Sequence, residues 1–480
     1  MREIKEGESK MKYDVVIGLE IHAELKTKTK VFCSCKNEFG ASPNANTCPV
    51  CTGMPGALPV INKKAVELCI KAGLCFGCNI SNYAVMERKN YFYPDLSKAY
   101  QISQMVHPIC VGGGIKLSSG KFIRLNRIHL EEDAGKLTHI SKSIGTLVDY
   151  NRGGTPLIEI VTEPDFASSE EVDEFLKRVR ESLVFSDVAD CKMEEGGMRC
   201  DVNLSLKPSG ATEFGTRTEM KNLNSFKSVT RAIEYEIKRQ TEVLDEGGKV
   251  VQETRKWDDA KGKNLTMRSK EEAQDYRYFP DPDILPISIP DDTISAIKSS
   301  MAMLPEARRD MYVESYGLPR YDAEILTSSK YIADYFEKAV SLYAVPKKIS
   351  NWIMVDLLKL VKEQEEFVFP ISEEYLVEII KMVEEKVINK TTALQLLEKV
   401  IEIGASPQEL ADKMGLLVKI SDDEIIALLE RLKAENAKVA IDYAADPAKV
   451  VGFIIGYVMK NTGGKANSAL VKELIQKVFG

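Results

Sequence analysis

The sequence predicts an α+β protein, with a mainly antiparallel sheet and flanking helices over residues 1–292 and helices alone after that. Two observations predict this arrangement of a sheet followed by helices. Residues 13–25, 198–207 and 215–222 alternate apolar and polar side chains, which is typical of antiparallel strands that bury one face. From residue 293 onward the apolar side chains instead recur every three or four positions, as they do along one face of a helix.

Length and composition describe an ordinary globular chain. At 480 residues, with 44% hydrophobic and 29% charged residues, it has material for about three domains. No apolar run reaches the roughly 20 residues that cross a bilayer, and the charged start MREIKEGESK is not a secretory signal. We therefore expect a cytoplasmic protein without membrane contact. The net charge of −7 argues against indiscriminate binding of nucleic acid, so any RNA contact must come from local basic patches.

The first strand is predicted at residues 13–25, YDVVIGLEIHAEL. Its odd positions from Val15 to Leu25 are all apolar, whereas Glu20 and His22 stand on the other face. Their Cα atoms should lie about 6.5 Å apart, given about 3.3 Å per residue. A carboxylate and an imidazole at that spacing can share a metal ion, or the carboxylate can tune the histidine. On this segment alone, a solvated strand face with unrelated charges is the favoured interpretation.

Four of the ten cysteines form two close pairs directly after this strand. Cys33 and Cys35 flank one residue. Cys48 and Cys51 flank two, and the twelve residues between the pairs are rich in Asn, Ser, Gly and Pro. In a reducing cytosol such pairs indicate metal ligation or free thiols rather than disulfides. Two such pairs can place four thiolates around zinc, and a set closed to water is structural. We therefore predict a structural zinc ion in the loop 33–51, the alternative being four free thiols.

Residues 86–104, MERKNYFYPDLSKAYQISQ, interleave basic and aromatic side chains. Lys89 lies two positions before the aromatic run 91–93. Such a mixture suits contacts with phosphates and bases. It suits equally a loop that packs on a core while its cations reach the surface. From the residues alone the two interpretations are evenly balanced.

Further carboxylates follow in extended or apolar surroundings. Glu131 and Glu132 are adjacent, so in an extended segment they point to opposite faces and only one can join a shared site directly. Glu159 lies among the apolar residues of TPLIEIVTEPD, where an ionised carboxylate is costly unless it is paired or bound to a cation. A salt bridge in the core is the plain explanation for Glu159.

The polar rows of the predicted strands carry acidic groups that an ordinary solvated face would not favour. Asp201 lies on the polar row of MRCDVNLSLK, and Glu219 lies on that of GTRTEMKN. Collected with His22 and Glu159 on one concave face, they would form an oxygen-rich site for Mg²⁺, which would hold a nucleotide phosphate. Neither G-x-x-x-x-G-K-[ST] nor G-x-G-x-x-G occurs, so such a nucleotide site would be of another kind. An antiparallel sheet with one solvated face is the simpler alternative.

The sequence pattern predicts helices joined by short turns from Ile294 onward. A second change in the sequence pattern falls near Pro370. The last stretch of the chain is basic around Lys460, Lys465 and Lys472. Such lysines usually belong to a solvated helix face. They are also the best local positions for a contact with RNA phosphates.

Long motifs along the chain resemble one protein family. From about Tyr13 to the C-terminus the sequence is similar to the B subunits of glutamyl/aspartyl-tRNA amidotransferases, the GatB family. The similarity rests on VIGLEIHAEL, ERKNYFYPDLSKAYQISQ, IHLEEDAGK, DYNRGGTPLIEIVTEPD, RCDVNLS, TEMKNLNSF, RSKEEAQDYRYFPDPD and VMKNTGGKAN. So many long motifs in order make the resemblance specific, unlike any single motif above.

The resemblance implies a fold and an activity. It implies a catalytic cradle domain at 1–292 that contains the zinc loop 33–51, a helical domain at 293–405, and a small helical tail at 406–480 that contacts tRNA. With ATP and Mg²⁺, the family phosphorylates the side-chain carboxylate of misacylated Glu-tRNA(Gln) or Asp-tRNA(Asn), and ammonia then displaces the phosphate. The ammonia comes from an amidase, the A subunit, and a small C subunit completes a heterotrimer. This chain shows no amidase-like serine-rich nucleophile segment, so it would import ammonia.

The resemblance also implies roles for the charged positions. Lys89 would steady the transferring phosphate, and Lys89 and Glu159 would contact the nucleotide. The implied catalytic residues are Glu20, His22, Lys89, Glu132, Asp201 and Glu219. The implied Mg²⁺ site, with direct and indirect ligands left open, comprises Glu20, His22, Glu131, Glu132, Glu159, Asp201 and Glu219. The implied structural Zn²⁺ ligands are Cys33, Cys35, Cys48 and Cys51.

Two other classes of function stay open. One is a non-catalytic, zinc-containing RNA-binding subunit, and the other is a metal-dependent hydrolase that uses His22 and the carboxylates. RNA-stimulated turnover of ATP would separate an enzyme from an adaptor. Transfer of phosphate to an aminoacyl ester, rather than to water, would separate a kinase from a hydrolase. The choice between Glu-tRNA(Gln) and Asp-tRNA(Asn) is also open.

Overall fold

The computed structural model describes residues 12–141, 145–193, 195–269, 275–361, 368–416, 421–462, 466 and 468–480. The chain divides into two compact units, Met1–Pro305 and Glu306–Gly480. A large sheet with helices occupies the first unit, and the described part of the second consists of helices and their connections, which confirms the α+β prediction. The three-domain division with bounds at 292 and 405 stays a prediction.

The described strands all lie in the first unit. In chain order they are β1 (Tyr13–Glu24), β2 (Asn79–Ile80), β3 (Tyr83–Ala84), β4 (Glu87–Asn90), β5 (Tyr100–Ser103), β6 (Cys110–Val111), β7 (Gly114–Lys116), β8 (Phe122–Glu132), β9 (Lys136–Ser141), β10 (Gly145–Asp149), β11 (Pro156–Thr162), β12 (Met198–Pro208), β13 (Thr218–Leu223), β14 (Glu253–Asp258), β15 (Lys263–Ser269), β16 (Phe279–Pro280) and β17 (Ile287–Ser288).

Ten of these strands form one sheet in the order β15-β14-β13-β12-β1-β11-β8-β6-β2, with β7 paired to β8 beside that path. Neighbours are antiparallel, except that β13 and β14 run parallel. The predicted first strand lies in the middle, between β11 and β12. The alternation of apolar and polar residues in β1 explains this central position, because Ile17, Leu19 and Ile21 are at most 1% exposed and belong to the core.

Four of the described helices pack on the same core. They are α1 (Lys63–Cys75), α2 (Ser169–Phe185), α3 (Phe226–Asp245) and the shorter α4 (Asp291–Ser299). The side chains of Asn62, Ser168 and Ser225 accept hydrogen bonds from backbone amides in the first turns of α1, α2 and α3, which otherwise lack partners. Buried residues of these three helices join the odd row of β1 in one hydrophobic cluster. The polar row of β1 therefore points away from this core.

The second unit contains two hydrophobic cores, one formed by residues between Tyr312 and Ala411 and the other by residues between Ile425 and Ile475. A π-helical turn, Trp352–Leu357, and a 3₁₀ turn, Leu358–Leu360, interrupt its helices. The α-helices are α5 (Pro305–Glu314), α6 (Arg320–Leu326), α7 (Lys330–Leu342), α8 (Pro346–Asn351), α9 (Glu373–Glu384), α10 (Lys390–Ile403), α11 (Pro407–Lys413), α12 (Asp422–Glu435), α13 (Ala437–Ala445), α14 (Pro447–Asn461) and α15 (Ser468–Phe479).

The basic tail is only partly described. Lys460 in α14 and Lys472 in α15 have exposed side chains. Lys465 lies outside the described residues, as do residues 270–274 of the RSKEEAQDYRYFPDPD motif. Among the helices that are described, none is long and apolar enough to cross a bilayer.

Candidate functional site

Three central strands place two histidines and a carboxylate side by side. His22 of β1 is paired in register with Glu159 of β11, and Glu159 is paired with His129 of β8. Cross-strand partners share one face of a sheet, with Cβ atoms about 4.5–5.5 Å apart. Glu131 follows His129 by two positions in β8, so strand alternation puts it on that face too. The sheet thus assembles four ionisable groups on the polar face of β1.

These four side chains form a connected ion-pair cluster. His22 Nε2 lies 3.3 Å from Glu131 Oε1 and 3.7 Å from Glu159 Oε2. His129 Nε2 lies 3.2 Å from Glu159 Oε2 and 3.7 Å from Glu131 Oε2. One ligand atom each from His22, Glu131 and Glu159 lies within 4.8 Å of the others. Nitrogen and oxygen donors at this spacing could hold a divalent metal ion, and we name His22, Glu131 and Glu159 the histidine group.

The charges of this cluster shift the pKa of each member. Burial lowers the pKa of His129, but the charge of Glu159 and hydrogen bonds to both carboxylates outweigh burial and raise this pKa to about 9. Burial raises the pKa of Glu159, and the charge of His129 outweighs it and brings the pKa to about 2. Burial likewise opposes protonation of His22, yet its hydrogen bond with Glu131 leaves the pKa raised. The imidazoles thus neutralise the carboxylates, and a cation at the histidine group would compete with the proton of His22.

A group of three carboxylates lies next to the histidine group on the same face of the sheet. Glu20 of β1 is paired with Asp201 of β12, and Glu219 of β13 completes a set whose ligand oxygens lie within 4.8 Å of one another. Lys221 Nζ lies 2.9 Å from Glu219 and 2.5 Å from Asp201. Burial is the main cause that raises the pKa of Glu20. We name Glu20, Asp201 and Glu219 the carboxylate group. Since Glu20 is two positions from His22 on β1, the two groups are neighbours on the sheet.

Lys89 of β4 adds a positive charge near the histidine group. Burial lowers the pKa of Lys89, but the nearby Glu131 and Glu159 help to raise it above its ordinary value. Its ammonium lies 4.9 Å from the ring centre of Tyr276 and 6.0 Å from that of Tyr91. Lys89 is thus a charged ammonium flanked by aromatic rings and electrostatically coupled to the two glutamates.

Glu132 is not brought into either group. Its carboxylate accepts hydrogen bonds from Lys98 Nζ at 2.6 Å and from the backbone amide of Ile102 at 2.9 Å. Adjacent residues of β8 point to opposite faces, so the strand that turns Glu131 toward His22 turns Glu132 away from it. Glu132 therefore lies outside both groups in this structure, and its roles in catalysis and in the magnesium site stay predictions.

The four paired cysteines converge in the loop after β1. The Sγ atoms of Cys33, Cys35, Cys48 and Cys51 all lie within 4.8 Å of one another, and those of Cys48 and Cys51 are 3.9 Å apart. In tetrahedral zinc with bonds of about 2.3 Å, the sulfurs are about 3.8 Å apart. The backbone amide of Cys48 also donates to Cys51 Sγ at 3.2 Å. The donor set and its spacing therefore fit a four-thiolate metal site.

Comparison with known proteins decides the family. A sequence profile described as the GatB/GatE catalytic domain matches residues 15–295, and a profile described as the GatB domain matches residues 334–479. The chain belongs to the GatB family. The first profile spans the histidine group, the carboxylate group, Lys89 and the four cysteines.

Relatives of this GatB chain match over nearly the whole length. The B subunit of the aspartyl/glutamyl-tRNA(Asn/Gln) amidotransferase of Caldicellulosiruptor saccharolyticus is 52% identical over 478 residues, which cover 97% of this chain and 99% of that protein. Its counterpart of the same name in Thermoanaerobacter pseudethanolicus is 48% identical over 472 residues, covering 97% of this chain and 99% of its own. That of Thermodesulfovibrio yellowstonii is 47% identical over 475 residues, covering 98% of this chain and 100% of its own.

Two sets of contacts in this GatB site were not predicted from the sequence, those of His129 and the ion pair of Lys221 with Asp201. His129 is buried between Glu131 and Glu159, and the alternation of IHLEE could have placed it beside Glu131. Lys221 stands on the same polar row as Glu219. Its ion pair with Asp201 joins β13 to β12, and the sequence around Lys221 gives no indication of that pairing.

Proposed function

We propose that this GatB-family chain is the ATP-dependent B subunit of a tRNA-dependent amidotransferase. In this role it phosphorylates the side-chain carboxylate of misacylated Glu-tRNA(Gln) or Asp-tRNA(Asn), and ammonia then displaces phosphate to give Gln-tRNA(Gln) or Asn-tRNA(Asn). The observation that carries the proposal is that the histidine group, the carboxylate group and Lys89 share one region of the chain. Relatives that match over nearly the whole length bear the name of that subunit.

The histidine group and the carboxylate group are both suited to binding a divalent cation. One Mg²⁺ position would be formed by the histidine group and another by the carboxylate group. Bound magnesium would supply neutralisation of the negative charge on the phosphates of ATP. Lys221, held between Asp201 and Glu219, limits the repulsion between these carboxylates and keeps them in place.

The chain's own residues supply position and charge. Phosphoryl transfer depends mainly on the alignment of attacking and leaving oxygens and on the stabilisation of charge at the phosphoryl group. The ammonium of Lys89, flanked by Tyr276, suits contact with the transferring phosphoryl group and the nucleotide. His129 is only 2% exposed and forms ion pairs with both Glu131 and Glu159, so it would orient these two proposed ligands from behind.

The four cysteines suit structural zinc, since a closed set of four thiolates has no position left for water. Cys48→Ser is expected to lower the zinc content from about one ion per chain to well below one. It should also lower the midpoint of thermal unfolding by about 5 °C or more, because structural zinc contributes folding free energy directly. Elemental analysis and thermal melts measure both effects.

Cys75→Ser is the matched control for this zinc prediction. Cys75 ends α1 and is half-buried outside the cysteine loop, so the variant should keep the wild-type zinc content. A wild-type chain purified with well under one zinc ion per molecule would contradict structural zinc in this loop.

The proposed complex supplies what this chain lacks. An amidase A subunit would release ammonia from glutamine, a small C subunit would complete the heterotrimer, and the helical tail, 406–480, would contact the tRNA. The exposed Lys460 and Lys472 are suited to contact with phosphates. We place this complex in the cytoplasm.

Transfer of ³²P from γ-labelled ATP onto each misacylated tRNA tests the proposed function. The labelled product should be the aminoacyl ester of Glu-tRNA(Gln), of Asp-tRNA(Asn) or of both, and correctly charged Gln-tRNA(Gln) serves as the unreactive control. Label released only as inorganic phosphate would favour a hydrolase. Binding of tRNA without any RNA-stimulated turnover of ATP would favour a non-catalytic adaptor.

A further inference from the structure

Lys30 is a fully buried lysine at the entrance of the cysteine loop, three positions before Cys33. None of its side-chain surface is exposed, whereas most lysines lie at the surface. An ammonium removed from water is costly unless an anion and hydrogen-bond acceptors replace its hydration. The chain must therefore provide Lys30 with a partner of negative charge.

Carboxylates do not supply that partner. Within the described ranges of the chain, no Asp or Glu oxygen lies within the 4.0 Å ion-pair distance of Lys30 Nζ. Glu132 lines the same cavity of about 130 Å³, but its carboxylate is engaged by Lys98 at 2.6 Å. Lys30 Nζ instead lies 3.0 Å from the carbonyl oxygen of Tyr150 and 3.6 Å from Cys51 Sγ. Because the carbonyl is neutral, the sulfur is the anionic partner among these contacts.

We propose that Lys30 is the buried counter-charge of the four-cysteine metal site and strengthens the binding of zinc there. Four thiolates around a divalent cation leave an excess of negative charge in a loop that is partly shielded from water. An N–H···S hydrogen bond from Lys30 to Cys51 offsets this charge. The proposal rests on zinc occupying the site, and it makes Lys30 a positioning residue that acts through Cys51.

The fold holds Lys30 in this place. The amide of Val31 donates to the carbonyl of Gly154 at 2.9 Å, which fixes the backbone beside Lys30. Gly154 has φ +84°, and a Cβ there would lie 3.5 Å from Lys30 Cδ, so the segment 150–154 passes close over the lysine stem. The same segment leads into β11, which carries Glu159. Lys30 thus also ties the cysteine loop to the strand that supplies the histidine group.

Lys30→Met keeps the length of the side chain and removes its charge. We expect the dissociation constant for zinc, measured by competition with a chelator on the full chain, to rise about 10- to 100-fold, the usual cost of losing a partner of a metal ligand. Lys36→Met is the matched control, since Lys36 lies in the same loop with an exposed side chain. Its zinc affinity should stay within about twofold of the wild type.

A spectroscopic readout separates the hydrogen bond from general loss of stability. The ¹¹³Cd resonance of the cadmium-loaded chain should shift in Lys30→Met and stay in place in Lys36→Met, because it reports the electron density of the thiolates. Lys30→Gln keeps an N–H donor but carries no charge. If Lys30→Gln loses zinc affinity as Lys30→Met does, the loss is caused by removal of the charge.

The outcomes distinguish the role of Lys30 from the presence of zinc. A wild-type chain that binds zinc, with Lys30→Met and Lys30→Gln both within about twofold of it, would overturn the counter-charge while leaving structural zinc intact. A wild-type chain that binds no zinc would overturn both. Folding of Lys30→Met only with excess zinc would support the proposal. Were that variant insoluble at every zinc concentration, the affinity of Lys30→Gln would decide.

Discussion

His22→Ala is expected to lower the transfer of phosphate from ATP to misacylated tRNA by at least about 100-fold, while the affinity for tRNA stays within a few-fold of the wild type. His22 supplies the nitrogen donor of the histidine group, 3.3 Å from Glu131 and 3.7 Å from Glu159. Without it, a cation bound between the two carboxylates would lose one of the three protein ligands proposed for it. The loss falls on charge stabilisation at the phosphoryl group rather than on contacts that dock the tRNA.

The measurement is single-turnover transfer of ³²P, with tRNA affinity determined separately by filter binding. His139→Ala is the matched control, because His139 lies exposed on β9 and hydrogen-bonds Thr146 rather than either acidic group. It should phosphorylate the substrate at the wild-type rate. Unchanged turnover in His22→Ala would show that His22 is only a satisfied polar residue on the sheet. An equal loss of tRNA affinity in that variant would indicate a binding role instead.

The parts of this site that depend on local alternation could be predicted from the sequence. The period of two in residues 13–25 predicts that Glu20 and His22 share a face opposite a buried row, and the structure has them so on β1. The same rule predicts that only one of Glu131 and Glu132 can join a shared site, and Glu131 lies beside His22. The close cysteine pairs predict that their sulfurs meet, which they do within 4.8 Å.

The parts that depend on strand order could not be predicted in this way. Which strands flank β1 is decided by pairings between segments more than a hundred residues apart, and no local period encodes them. The alternation of IHLEE puts His129 on the face of Glu131, but its contact with Glu159 follows only from the pairing of β8 with β11. Lys30 shows the same limit, because only the tertiary fold reveals that a lysine in a polar loop is buried against Cys51.

The chain bound to the proposed small C subunit, without the proposed amidase, is expected to amidate Glu-tRNA(Gln) when ammonium is supplied at high concentration and to fail with glutamine. The chain carries acidic groups suited to phosphorylation but shows no serine-rich nucleophile segment for release of ammonia from glutamine. Phosphorylation turns a carboxylate oxygen, a poor leaving group, into phosphate. Neutral ammonia then attacks the acyl carbon and the C–O bond to phosphate breaks, so this step needs only access and orientation.

Separation of the aminoacyl ester by chromatography measures conversion of Glu to Gln with each nitrogen donor. His22→Ala in the same complex is the control, because it should fail with ammonium as well if amidation depends on prior phosphorylation. Glutamine-dependent amidation without an amidase would contradict the division of labour, since this chain would then contain its own source of ammonia. Failure of the wild type with ammonium despite intact tRNA binding would instead favour the adaptor, because activation and amidation would both lie outside the chain.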